Sequence, residues 1–266
     1  MGHRDAGQPG GMPDRNTMFR QASEYTSFHK KLGVMIRPFL REEWDALDAG
    51  CGLGLLDLEL APCLRSIQAV DIDADKIRFL EDMIGGELAR GHEHAARIEP
   101  QCADASALDG SWDVVIMSFF GGDQALTERL VGMARHRAVL IVHGRDSNGV
   151  FDPPPRRPGE RLIADELDTL LKEKGFRFRR IDAEMQFGQP FQTIEGIHAF
   201  LDRLMSRKSL GTQETGVPKG GDGSLGCSGI ESLIAGAEES IIRTNRYDYP
   251  YYLPRNMAVG VFVVVL

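Results

Sequence analysis

The sequence predicts an α/β protein built on a doubly wound, mainly parallel sheet. Three observations lead there. Strand-like and helix-like stretches alternate between residues 44 and 184, a glycine-rich turn joins the first strand to the next helix, and acids recur at strand ends. Open sheets of this kind bind ligands at the carboxyl ends of their strands, so the turn and those acids mark the candidate site.

Residues 1–16 are rich in Gly, Pro and charge, have little to bury, and are expected to form a flexible terminus. Residues 19–40 carry Tyr25, Phe28, Leu32, Met35 and Ile36 at helical intervals and predict one or two helices. Tyr25 and His29 stand four apart and would share a helix face. The apolar run 44–47 suits a buried strand, and 55–64 can form a helix. Strand 67–72, helix 75–89, strands 97–102 and 112–120, helix 124–136 and strand 138–143 come next. After a proline-rich loop at 153–158, helix 160–174 is stopped by Gly175 and leads into strand 176–184. Residues 257–265 form a last apolar strand, too short to span a bilayer.

Gly50, Gly52 and Gly54 alternate in the turn, with Asp48 two residues ahead of the first. Glycine allows positive φ and close approach of backbone to ligand, and the N-terminus of the following helix adds N–H donors. A dinucleotide turn needs Gly-x-Gly-x-x-Gly; here the third glycine comes one residue early and Leu55 takes its place. Asp48 would also repel a pyrophosphate, whereas a cofactor with a cationic amino end would welcome it. The run Asp48-x-Gly50-x-Gly52-x-Gly54 resembles motif I of the class I S-adenosylmethionine-dependent methyltransferases.

Further residues fall in order behind it. Asp71 ends the second strand, where a carboxylate can accept both hydroxyls of a ribose. The resemblance implies that Ile72 packs on the adenine, that Asp104, followed by Ala105, meets the adenine amino group, and that Met117 and Ser118 end their strand beside the reactive methyl. Cys51 lies within the turn, and Asp113 is read as structural. The resemblance also implies a seven-stranded, Rossmann-like methyltransferase fold whose last strand is antiparallel, with S-adenosylmethionine as cofactor. Methyl transfer from a sulfonium is an in-line displacement that mainly needs alignment and exclusion of water. A base is required only for an acceptor that must lose a proton. His143, ending the fifth strand, is the first choice, followed by His198 and His29.

About seventy residues separate the last two strands, well beyond an ordinary loop. Residues 194–205 and 230–242 read as helices, 209–226 as a Gly-, Thr- and Ser-rich linker. Four of the five tyrosines fall between residues 247 and 252, and tyrosine clusters often line recognition surfaces or pack proline-fixed turns. The expected organisation is a flexible stretch 1–16, a cofactor-binding domain 17–186 plus 256–266, and a helical, aromatic insert 187–255 acting as substrate cap. Phe119, Phe120, Gln189, Tyr247, Tyr249 and Tyr251 are the expected substrate contacts.

A net charge of −8 argues against broad nucleic-acid binding and, with the insert, favours a small-molecule methyl acceptor. The arginine pairs Arg156-Arg157 and Arg179-Arg180 leave room for an acidic substrate. The four cysteines show no metal spacing or disulfide framework, so no metal and a cytoplasmic location are expected; His92-Glu93-His94 lies in a polar connection. No membrane association is expected, and a homodimer is one open alternative. Two other readings stand beside the methyltransferase. An NAD(P)-dependent oxidoreductase would use the same strand, turn and acid, but the glycine offset, Asp48 and the lack of a Tyr-x-x-x-Lys pair oppose it. A non-catalytic S-adenosylmethionine-binding protein would carry the same motifs.

Overall fold

The structure, a computed structural model, describes residues 13–120, 124–144, 162–211, 239–246 and 248–266. Along the chain run α1 (Arg15–Thr26), α2 (Phe28–Ile36), β1 (Asp45–Ala49), α3 (Leu55–Leu60), β2 (Ser66–Asp71), α4 (Ala74–Ala89), β3 (Ile98–Cys102), β4 (Trp112–Ser118) and α5 (Gln124–Gly132). Then follow β5 (Ala134–His143), α6 (Ala164–Glu173), β6 (Arg177–Gln186), β7 (Gln189–Phe191), α7 (Ile194–Gly211), β8 (Ile242–Arg243), β9 (Tyr251–Leu253) and β10 (Asn256–Val265). They fall into two compact units. The larger comprises Ser27–Ser147, Arg156–Met185 and Met257–Leu266; the smaller comprises Met1–Thr26, Asn148–Pro155 and Gln186–Asn256.

The larger unit holds a seven-stranded sheet in the order β3-β2-β1-β4-β5-β10-β6. β1 pairs in parallel with β2 and β4, β4 pairs in parallel with β5, and β10 runs antiparallel to β5. This is the expected doubly wound sheet with its antiparallel last strand. The inner strands are buried along almost their whole length because helices cover both faces, which is why they read as unbroken apolar runs. The edge strands β3 and β6 alternate or expose their side chains. Pro100 sits in β3, where its missing N–H leaves no partner strand unsatisfied on the outer side. On one face, Leu167, Leu170 and Leu171 of α6 and Leu130 and Val131 of α5 close over Leu47, Val115, Leu140 and Phe262.

Several boundaries moved, each for a local reason. The helix expected over 55–64 ends at Leu60, because Pro62 lacks an N–H and starts a tighter turn, Ala61–Cys63. The stretch 19–40 breaks at Ser27, whose φ of 54° places it in the left-handed region. Tyr25 and His29 therefore lie on different helices and share no face, contrary to the spacing argument. The unit boundary falls at the same peptide, between Thr26 and Ser27. β5 starts at Ala134 rather than 138, since Ala134 already pairs with Trp112. Arg135, His136 and Arg137 disguised that start, and Arg135 is used to hold Asp113 at 3.0 Å.

The smaller unit was read as helical, yet it contains a three-stranded antiparallel sheet, β7-β9-β8. Strands of two or three residues are too short to show alternation, and β7 pairs with β9 some sixty positions away. α1, beginning at Arg15 inside the stretch expected to be flexible, joins this unit: Met18 packs with Phe191, Ile197, Leu201 and Leu253. Asp14 caps α1, accepting from the N–H groups of Asn16 and Thr17 at 2.8 and 3.1 Å. α7 runs on past residue 205 to Gly211. The expected loop at 153–158, most of the linker 209–226 and residues 230–238 lie outside the described residues. Among the described residues, no helix is long and apolar enough to cross a membrane.

Candidate functional site

The glycine turn stands at the carboxyl end of β1, held against β2 by hydrogen bonds from the N–H groups of Gly50 and Cys51 to the Val70 carbonyl, 2.7 and 2.9 Å. All three glycines have positive φ: 77°, 60° and 65° at Gly50, Gly52 and Gly54. Their surroundings differ. A Cβ on Gly50 would lie 2.1 Å from the Phe120 ring, and one on Gly54 would lie 2.3 Å from Leu80 of α4. A Cβ on Gly52 would meet nothing within 4 Å. Two of the glycines are thus demanded by the protein's own packing, and only Gly52 opens onto free space. The Gly52 N–H donates to Asp71 Oδ2 at 3.0 Å, so the open position adjoins the strand-end acid.

Asp48 lies beneath this turn, 1% exposed, and faces a residue that the sequence reading missed: Asp57 of α3, which is fully buried. Asp48 Oδ1 and both oxygens of Asp57 have no hydrogen-bond donor among the described residues. Two such carboxyls can coexist only by sharing a proton. Burial, followed by the charge of Asp57, pushes Asp48 well above the usual carboxylate range. Burial raises Asp57 to about 7. A signal for Asp57 was present three residues after Gly54, inside the first helical turn. In that place an acid ordinarily reaches back to the N-cap N–H. Here the Gly54 N–H donates to the Cys51 carbonyl instead, at 3.0 Å.

The pair makes stability depend on pH. Because folding raises the pKa of Asp57, its protonated form stabilises the native state below the unfolded value near 3.8, and this is lost as pH rises through about 7. Asp57→Asn removes that ionisation. The variant is expected to gain stability over the parent by about 2–3 kcal/mol between pH 5 and 8.5. Urea unfolding at several pH values measures this, and a difference that does not change with pH would contradict the shared proton. Cys51, in the turn, has its thiol driven far above its usual range by burial and by Asp57, Asp48 and Asp71. It is a packing residue there rather than a nucleophile.

Asp71 at the end of β2 is 7% exposed and accepts from the Gly52 N–H through Oδ2 and from the Asp73 N–H through Oδ1 at 2.9 Å. Lys76 Nζ stands 3.5 Å away. A carboxylate offers about four lone-pair sites, so each oxygen retains capacity for a further donor. Ile72 beside it is 73% exposed, the most exposed large apolar side chain among the described residues. Asp104 is exposed; the Ser106 side chain and then the Ser106 N–H, which donates to it at 2.8 Å, hold its carboxyl below the usual range, and it caps a single helical turn, Ala105–Ala107. Ala105 is buried in the core beneath it. Asp113 is structural, as read. It accepts from the Asp45 N–H and from Arg135, each at 3.0 Å, tying β4 to both neighbours.

At the carboxyl end of β4, Met117 is 4% exposed and belongs to the core, while Ser118 is half-buried. Phe119 then adopts φ 49°, a left-handed conformation costly for a non-glycine residue. Its N–H still donates to the Ile141 carbonyl at 2.8 Å. The flip sets its ring between Phe28 of α2, 6.0 Å away, and His143 of β5, 4.7 Å away. Phe120 covers Gly50. His143 is half-buried at the strand end. His29, by contrast, is 8% exposed, and burial lowers its pKa to about 4, so it is neutral near pH 7.

The remaining candidates belong to the smaller unit. Gln189 opens β7 and lines a cavity there. Tyr249 meets the Tyr25 ring edge-on at 6.1 Å, and Tyr251 packs on the small core of Phe191 and Leu253. Tyr252, not singled out from sequence, is buried; it stacks on Tyr25 at 4.8 Å, accepts from the Gly188 N–H and donates to Gln186. His198 is exposed on α7, and Tyr247 lies outside the described residues.

No family model and no curated protein matches the chain. Solved structures do share its fold. The YcgJ protein from Bacillus subtilis is 16% identical, with a TM-score of 0.52 over 89% of this chain and 98% of that one. A candidate methyltransferase from Bacillus halodurans C-125 is 13% identical, with a TM-score of 0.53 over 89% of this chain and 97% of that one. Sheet order, the antiparallel last strand and these likenesses define the Rossmann-like fold of the class I methyltransferases.

Proposed function

We propose that this chain is an S-adenosylmethionine-dependent methyltransferase acting on a small-molecule acceptor. The observation that carries this reading is the opening above Gly52 beside Asp71, at the carboxyl ends of adjacent strands. The carboxyl pair below the turn holds at most one negative charge near neutral pH, which suits a cofactor with a cationic amino-acid end and opposes a pyrophosphate. When bound, S-adenosylmethionine supplies an electrophilic methyl on sulfur.

In this reading Gly50, Cys51, Gly52 and Gly54 form the floor, with Asp48 held beneath. Asp71 accepts the ribose hydroxyls and Ile72 packs on the adenine. Asp104 and Ala105 border the adenine edge, and the backbone at Met117 and Ser118 borders the sulfonium. Phe119 and Phe120 shape the acceptor side and exclude water. His143 accepts the proton of an acceptor hydroxyl. The segment 187–255, with Gln189, Tyr247, Tyr249 and Tyr251, acts as the substrate cap. In the sequence it lies between β6 and β10, and Val259 of β10 pairs with His143 of β5.

The test uses the product, S-adenosylhomocysteine. At about a hundredfold over its Kd it should stabilise the folded protein by about 2.7 kcal/mol, read as a rise in melting temperature, while NAD gives no shift. Asp71→Ala should abolish the rise. A shift with NAD alone would favour the oxidoreductase, and an undiminished shift in Asp71→Ala would remove the ribose assignment. Labelled methyl transfer into a metabolite extract then separates an enzyme from a cofactor-binding protein.

A further inference from the structure

We propose that the smaller unit holds a binding site for a small amphipathic organic anion, a carboxylate on an apolar body of about ten heavy atoms. The site is a cavity of about 250 Å³ among α1, α7, the start of β7 and the end of β9. At the volume each water takes in the liquid, this is room for about eight waters. Phe19, Phe187 and Phe200 make its apolar wall, and Phe19 and Phe187 already meet edge-on at 5.0 Å. Arg15, Arg203 and Arg255 also line it, and the lining contains no Asp or Glu.

Three cations around one apolar cavity are unusual in a chain of net charge −8. Two other arginines of the unit are matched: Arg20 lies 3.8 Å from Glu24, and Arg246 sits over the Tyr25 ring at 4.4 Å. Arg15 and Arg203 make no ion pair among the described residues. The nearby acid, Asp14, has its carboxylate taken up by the first turn of α1, including the Thr17 hydroxyl at 2.6 Å. Guanidinium forks favour planar oxyanions, and gathered beside aromatic rings they select a ligand with both a carboxylate and an apolar body. A cation or a fully polar anion satisfies only part of this lining.

The inference does not depend on the cofactor reading, because every lining residue belongs to the smaller unit. Calorimetric titration of the full chain with octanoate, octanol and octylamine tests it, with and without S-adenosylhomocysteine. Octanoate is expected to bind saturably at one site, octanol about tenfold more weakly, and octylamine not at all. The double variant Arg15→Gln, Arg203→Gln changes two exposed side chains, so its ligand-free melting temperature should stay that of the parent. Its octanoate affinity should fall about tenfold or more. Equal affinity for octanol and octanoate, absence of saturable octanoate binding, or unchanged affinity in the double variant would each overturn the assignment. Loss of octanoate binding only when S-adenosylhomocysteine is present would place the anion in the cofactor site instead.

Discussion

Gly52→Leu should leave the protein folded while removing its response to S-adenosylhomocysteine. The new side chain starts in a region where a Cβ meets nothing within 4 Å, unlike at Gly50 and Gly54. The cost to folding is the left-handed backbone alone, about 1–2 kcal/mol at φ 60° for a residue with a Cβ. The same side chain would fill the space beside Asp71 that the ligand needs, and the gain of about 2.7 kcal/mol at a hundredfold excess should vanish. Thermal melts of parent and variant, each with and without ligand, measure both quantities together. A variant that still shifts like the parent would place the ligand elsewhere.

Gly54→Val, two residues on, should behave in the opposite way and damage the fold itself. Gly54 has φ 65° at the N-cap of α3, and its missing Cβ would fall 2.3 Å from a Leu80 methyl. Leu80 is fully buried and cannot swing into solvent. Left-handed strain of about 1–2 kcal/mol then adds to overpacking of about 1–3 kcal/mol, a loss of about 2–5 kcal/mol visible as a lower urea midpoint. If Gly52→Leu were the more destabilising of the two, the division of roles within the turn would be wrong.

This division shows how far the sequence was legible. The spacing of Gly50, Gly52 and Gly54 announced a tight turn with positive φ, and the structure contains it. The one-dimensional pattern cannot say that Gly50 yields to Phe120 and Gly54 to Leu80, because those partners lie 70 and 26 positions away. Asp48 was found from its motif, but Asp57 was passed over as an ordinary first-turn acid. Its burial against Asp48 depends on how α3 settles under the turn. Ser27 was invisible for a different reason: nothing in Tyr-Thr-Ser-Phe-His interrupts helical periodicity, and the break is a backbone conformation of one residue.

By itself the sequence determined the sheet. Runs such as Val114–Met117 and Met257–Val265 carry no polar side chain because a strand covered on both faces has no solvent side, and that pattern survives in one dimension. It also determined where the candidate site lies, since glycines and acids at strand ends keep their order along the chain. Tertiary structure alone decided which glycine faces open space, which carboxyls are buried without a donor, and that α1 builds a small core with β7, α7 and β9. These are matters of contact between distant segments. Whether a group is covered, paired or left open depends on atoms that local periodicity does not encode.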